Sequence, residues 1–228
     1  MVELAVRSRC RGLSVSFTEP TLLFEYCLDL FPLARSKELY CNFVSNGYMS
    51  FEALRMLVEA GMDGLKIDVK GCRDPVRRYC SADVDVCWRN ASKALDMGVH
   101  VEIVNLIIPG VNDSEDCIEE VCRMHLESVG EDTPLHFTAY YPAYRFDAPP
   151  TPVSKLEEAY RIARRYGLKY VYIGNVPGHP YENTYCPECG ELLIKRYGLT
   201  IVSVKLTKDK KCPRCGYSIP IRGEVAVR

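Results

Sequence analysis

The chain has 228 residues, 47% hydrophobic and 26% charged, with a formal net charge of -1. This globular profile excludes a general binder of polyanions. No apolar run approaches the ~20 residues needed to cross a bilayer. The start, MVELAVRSRCRG, lacks the apolar core of a signal peptide, so the expected compartment is the cytoplasm. In that reducing setting the twelve cysteines read as metal ligands, catalytic groups or small buried hydrophobes.

In chain order, the first predicted strand is Leu13–Phe17. It halts at Thr18-Glu19-Pro20, where an amphipathic run begins. Further strands are predicted at Tyr40–Ser45, Gly64–Val69, His100–Ile108, Leu135–Ala139 and Lys169–Ile173. They are short and rich in Val, Ile, Leu, Phe and Tyr, as strands buried on both faces are. Helices are predicted at Phe51–Ala60 after Ser50, at Ala91–Met97 before Gly98, at Ser114–Ser128 and at Pro152–Tyr166 before Gly167. Serine caps, acidic first turns and a following glycine mark their ends. Repeated β-then-α with short links predicts an α/β fold with a parallel sheet, either doubly wound or barrel-like. Six strands are too few for a complete eight-unit barrel.

Chemistry gathers at the carboxyl ends of such strands. The residues there are Glu19 and Pro20, Ser45 and Asn46 before Gly47, Asp68 and Lys70, Asn105, His136 and Asn175. Alone, each reads as easily as a cap or a salt bridge. As a set, Glu19, Asp68, Lys70 and His136 could hold a small zwitterion, carboxylate to ammonium and lysine or cation to carboxylate.

The composition changes near residue 180. From Cys186 onward there are nine Lys/Arg against four Asp/Glu. The segment GNVPGHPYENTY, with Gly174, Pro177, Gly178 and Pro180, reads as the junction. The predicted domains are therefore residues 1–176, a βα domain, and 177–228, a small module. The module holds Cys186-Pro-Glu-Cys189-Gly and Cys212-Pro-Arg-Cys215-Gly, 22 residues apart. Two C-x2-C knuckles joined by a hairpin predict a closed four-thiolate structural site, zinc first and rubredoxin-like iron second. The basic side chains Lys195, Arg196, Lys205, Lys208, Lys210, Lys211 and Arg214 could meet phosphates, but Tyr197 and Tyr217 are the only main candidates for base stacking. A solvated face or a docking surface is the expected role, and nucleic acid is not.

The stretches SFTEPTLLFEY, VSNGYMS, GLKIDVKG, VEIVNLIIPGVNDSED, TPLHFTAYYPAY and IGNVPGHPYENTYCPECG resemble the radical SAM enzymes of the AmmeMemoRadiSam system. They are more distantly similar to the pyruvate formate-lyase activating enzymes. The likeness runs from Leu4 to the last CPRCG. It implies a partial (βα)6, TIM-barrel-like fold that binds S-adenosylmethionine (SAM) on a [4Fe–4S] cluster held by C-x3-C-x2-C. The cluster reductively cleaves SAM to a 5′-deoxyadenosyl radical.

By that resemblance Glu19-Pro20 meets the SAM ammonium and Asn46-Gly47, after Ser45, lies beside its amino-acid part. Asp68 is near the carboxylate with Lys70, and Asn105 and His136 face the ribose and adenine. Relatives commonly have Thr at Ser45 and a second His at Tyr141. Memo-like and AMMECR-like proteins are the implied partners.

No C-x3-C-x2-C occurs in the 228 residues. The expectation is a barrel whose first strand and cluster loop are supplied by an upstream segment or a partner, and which does not cleave SAM alone. The alternatives are a non-catalytic ligand- or protein-binding derivative of the fold, and a ribbon-led nucleic-acid or protein-interaction protein. The remaining eight cysteines are expected to be buried or incidental thiols. Cys72, Cys80 and Cys87 lie in or beside one loop region, where a disulfide or substitute site is the alternative.

Overall fold

The computed structural model describes residues 1–225; the last three residues of the predicted 177–228 module lie outside the described residues. Six strands form one sheet in strict sequence order: β1 (Gly12–Val15), β2 (Tyr40–Ser45), β3 (Gly64–Val69), β4 (His100–Ile107), β5 (Leu135–Ala139) and β6 (Val171–Gly174). β1–β2, β2–β3 and β5–β6 pair in parallel. Sequential order is that of a barrel wall; a doubly wound sheet reverses at a switch point.

The helices are α1 (Val2–Arg7), α2 (Phe24–Arg35), α3 (Phe51–Ala60), α4 (Arg73–Cys80), α5 (Val84–Asp96), α6 (Glu115–Val129) and α7 (Val153–Arg165). A second, antiparallel sheet holds β7 (Thr184–Tyr185), β8 (Leu192–Tyr197) and β9 (Thr200–Val204). No helix among the described residues is long and apolar enough to cross a membrane. Two compact units are present, residues 1–104 with 127–129 and residues 105–126 with 130–228.

In the first unit, strand alternation sorts side chains. Cys41, Phe43 and Ser45 of β2 and Leu65, Ile67 and Val69 of β3 are buried. The ring of Phe31 on α2 meets Phe43 edge-on at 6.4 Å between centroids. Leu54 and Leu57 of α3 are fully buried, and each such side chain contributes roughly 1.5–3 kcal/mol. The other face of these strands is half exposed and mixes polar side chains with Val44 and Val104. It carries Asn42 on β2, Lys66 and Asp68 on β3, and His100 and Glu102 on β4. Helix α3 starts where Ser50 Oγ accepts from Ala53 N at 3.1 Å and stops at Gly61, in the left-handed region.

In the second unit, Leu135 and Phe137 of β5, Ile173 of β6 and Leu156 and Ile162 of α7 form the core. A further cluster joins Tyr170 to Cys186, Leu193, Ile194, Leu206, Cys212 and Ile219. The small sheet is thus packed on residues that lead into β6. The junction is ordered by Glu182, 9% exposed, whose carboxylate accepts from Gly178 N and Gly198 N, both at 3.0 Å.

Four elements differ from the sequence expectation, among them β6, which starts at Val171 rather than Lys169. β1 ends at Val15 because Phe17 and Thr18 both take positive φ, 70° and 53°, which leaves the extended region. α5 begins seven residues earlier than the predicted Ala91, at Val84, with Asp83 accepting from Asp85 N at 3.0 Å. α4 has no counterpart in the sequence expectation, since its run RDPVRRYC buries only Val76.

Candidate functional site

The Glu19-Pro20 pair that follows β1 is a cap. Glu19 Oε1 accepts from Thr21 N at 3.0 Å, Thr21 Oγ1 at 2.7 Å and Ser45 Oγ at 2.6 Å. Its Oε2 accepts from Asn46 N at 2.8 Å. Pro20, buried at the first position of the 3-10 turn Pro20–Leu23, supplies the fixed φ that such a turn needs. One carboxylate therefore draws the ends of β1 and β2 together, and Oε2 keeps capacity for a further donor.

The loop after β2 is held from several sides. Ser45 Oγ accepts from Gly47 N at 3.0 Å, and Asn46 Oδ1 accepts from Tyr48 N at 2.7 Å. Gly47 has φ +72°, and a Cβ there would lie 2.9 Å from Ile67 Cγ2, so only glycine fits. From α5, Asn90 Nδ2 donates to the carbonyls of Gly47 and Met49, each at 2.8 Å, and Cys87 Sγ donates to Asn46 O at 3.1 Å. Arg89 adds a longer bond to Met49 O, 3.3 Å. Burial pushes the Cys87 thiol up to about 11, with nearby charges adding to it, so it stays a neutral donor. Sequence reasoning missed Thr21, Cys87, Arg89 and Asn90. The available signal was Asn90 itself, a polar residue on the apolar stripe of Cys87, Ala91 and Ala94.

At the end of β3, Asp68 lies between two lysines, Lys66 Nζ at 3.5 Å and Lys70 Nζ at 3.2 Å. All three are part-exposed, so the pairs add little stability and leave exchangeable charges. At the start of β4, on the same face, His100 Nε2 and Glu102 Oε1 are 3.0 Å apart. Cys80 and Cys87 are free thiols, whereas Cys72 is disulfide-bonded, so the expectation of a buried or incidental thiol fails at Cys72.

In the second unit, Asn105 is 1% exposed and shares the buried side of β4 with Ile107. His136 is half exposed on β5 and stacks on Tyr172 of β6, ring centroids 4.8 Å apart and planes 21° apart. Asn175, at φ 61°, donates from Nδ2 to Ala139 O at 3.0 Å, and Tyr141 OH donates to Asn175 O at 3.1 Å. These bonds tie the ends of β5 and β6.

The four cysteines of the small sheet converge. Cys186 and Cys215 sulfurs are 3.5 Å apart, Cys189 and Cys212 are 3.6 Å apart, and all four ligand atoms lie within 4.8 Å of one another. A tetrahedral zinc with Zn–S of about 2.3 Å needs sulfurs about 3.8 Å apart. The two knuckles repeat one another. Gly190 N donates to Cys186 O and Gly216 N to Cys212 O, both at 2.9 Å, while Cys186 N and Cys212 N reach Glu191 O and Tyr217 O at 2.8 and 2.9 Å. Burial raises the Cys212 thiol, but the N–H groups of Cys215 and Arg214, together with the neighbouring Cys189 and Cys215 sulfurs, bring it down to about 7. A [4Fe–4S] cube seats each sulfur on a different iron, whereas these sulfurs enclose one ion. They are the one metal-ligand group found among the described residues. In this arrangement the four cysteines Cys186, Cys189, Cys212 and Cys215 fit a single metal ion rather than such a cube.

The family model of the radical SAM superfamily matches residues 1–125. The chain belongs to the radical SAM superfamily. It is 40% identical over 223 residues to an uncharacterized protein of Methanocaldococcus jannaschii, with 97% of this chain and 66% of that protein covered. The chain thus spans just under two thirds of that relative's length. In fold it is similar to a domain of a pyruvate-formate lyase-activating enzyme from Bacteroides vulgatus, with TM-score 0.61, 17% identity, and coverage of 72% of this chain and 99% of that one. It is also similar to a radical SAM methyltransferase from Sphaerobacter thermophilus, with TM-score 0.57, 19% identity, and coverage of 76% and 55%. At those identities the likeness is one of radical SAM fold alone.

Proposed function

We propose that the chain's role within radical SAM chemistry is to bind and orient SAM. The observation that carries this reading is the carboxylate of Glu19, fixed by four donors with Oε2 left able to accept one more. Such preorganisation suits recognition of an ammonium group. Glu19 would hold the methionyl ammonium, the Ser45–Gly47 loop would line its amino-acid part, and Asp68 with Lys70 would serve the carboxylate. The resemblance assigns Asn105 and His136 to the ribose and adenine, each to be tested by its own substitution.

Bound to a reduced cluster, SAM supplies the radical precursor of this family. The 228 residues contain no C-x3-C-x2-C with which to hold that cluster. Reductive cleavage would draw its cluster from a further segment or a partner chain. Membership of the AmmeMemoRadiSam system, Memo-like and AMMECR-like partners and a cytoplasmic setting are parts of the same proposal, supported by motif resemblance. For the four cysteines we propose structural zinc, with iron distinguished by its visible absorption and by elemental analysis.

Calorimetry with SAM tests the central claim. The wild-type protein binds, and Glu19→Gln, which keeps an acceptor but loses the charge, weakens binding roughly tenfold or more, as a lost charge-assisted bond of ~1.5–3 kcal/mol requires. A wild-type protein that does not take up SAM sinks the reading. The alternative would then be an interaction protein led by the small sheet, where the edge strand β9 exposes Ile201 (60%) and Val202 (54%).

A further inference from the structure

A continuous set of contacts inside the second unit runs from the four-cysteine site to His136. β8 lies between the two knuckles, so a metal that joins Cys189 to Cys212 fixes both flanks of the hairpin that bears Arg196. Arg196 is anchored at its backbone, where its N–H donates to Asn183 Oδ1 at 2.7 Å. Its guanidinium donates to Thr184 Oγ1 at 2.8 Å and to Glu182 O at 3.2 Å, and lies over the Tyr172 ring, 5.6 Å from the centroid. The Tyr172 hydroxyl pairs with the same Thr184 Oγ1 at 3.0 Å. Both ends of the Tyr172 side chain are therefore set, its ring by the cation and its hydroxyl by threonine. The imidazole of His136 stacks on that ring, in register with it across the β5–β6 pair.

We propose that Tyr172 and Arg196 are positioning residues that fix the ring plane of His136, and that the four-cysteine metal acts on His136 through them. The plane of a side chain against which an imidazole stacks limits the rotamers the imidazole can adopt. A stacked tyrosine held by a cation and a hydroxyl selects one. The small sheet then does more than stabilise its own fold: it keeps a strand-end histidine in one orientation. The importance of that orientation rests on the reading that His136 meets the ligand. The orientation itself is measurable without any ligand.

The test is the imidazole C–H spectrum of the full chain, with the His136 signal identified by its loss in His136→Gln. A proton over an aromatic face resonates upfield. Tyr172→Leu should move the His136 signal downfield, Arg196→Met should move it partway, and Tyr172→Phe, which keeps the ring, should move it least. Removal of the metal with a chelator should shift it in the same direction as Arg196→Met. The cobalt-substituted spectrum of the four-cysteine site shows which variants keep that site intact. If Arg196→Met loses it, Thr184→Val interrupts the same contacts from another side chain. A His136 signal unmoved by Tyr172→Leu, or unmoved by both metal removal and Arg196→Met with the site intact, overturns the proposal. Because no SAM is present, a failure of SAM binding leaves this result standing, and the reverse also holds.

Discussion

Ser45 Oγ donates to Glu19 Oε1 at 2.6 Å, so the last residue of β2 completes the cap that follows β1. The same oxygen accepts from Gly47 N, and Ser45 is 2% exposed. Ser45→Ala leaves the Gly47 N–H without this acceptor and removes one donor from Glu19. The expected loss in urea denaturation is about 1–3 kcal/mol. Ser45→Thr keeps the hydroxyl and should recover most of it.

Asn90 is fully buried and serves two carbonyls, those of Gly47 and Met49. Asn90→Leu matches its volume roughly but leaves both oxygens without their amide donor. A destabilisation of about 2–4 kcal/mol is expected. SAM affinity, measured on the folded fraction, should fall as well, since the loop beside Glu19 loses its brace.

The four-cysteine site should take one metal ion per chain. Chelation or Cys186→Ser should lower the melting temperature and raise hydrogen exchange in β8 and β9, while β2 and β3 change little. Metal binding must displace the remaining thiol protons, so affinity rises with pH. Competition with a coloured chelator at pH 6 and pH 8 should show tighter binding at the higher value.

His125 lies fully buried in α6, and burial pushes its ring down to about 3, against an ordinary 6.5 and despite the opposing backbone groups of Pro134 and Thr133. The ring is neutral when folded, whereas the unfolded chain takes up a proton below that ordinary value. Stability is therefore complete above pH 6.5 and declines as pH falls toward 3, by up to about 1.4 kcal/mol per pH unit from this group. His125→Gln should flatten the acid side of a stability–pH curve measured by urea titration. An unchanged slope would refute the account.

Thr18 is a β-branched, exposed residue at φ 53°, where the side chain costs roughly 1 kcal/mol or more. Thr18→Gly relieves that strain and loses some of the gain to unfolded-state entropy. The expected net effect is a stabilisation of up to about 1 kcal/mol by chemical denaturation.

Much of this protein was legible one residue at a time. β2, β3, β5 and α3 lie where alternation, β-branched runs, a serine cap and a closing glycine place them, because those signals are local in the backbone. The C-x2-C pairs announced their site for the same reason: each knuckle is a short turn whose geometry lies in its own sequence. The family too was readable, since Glu19-Pro20 and the strand-end polar residues follow one another at recognisable spacings.

Other features depend on what the chain meets far away. The role of Asn90 follows from carbonyls more than forty positions upstream. The premature end of β1 follows from two left-handed residues that no propensity favours. Glu19 reads in the sequence as a ligand contact, and in the fold it is first a cap, because Ser45 and Asn46 are delivered to it by a neighbouring strand. The stack of His136, Tyr172 and Arg196 joins β5, β6 and β8. Composition, local periodicity and short motifs were determined by the sequence alone. Partners brought together by strand register and helix packing were decided only in three dimensions, since hydrogen bonds and ring contacts act over a few ångströms and are blind to distance along the chain.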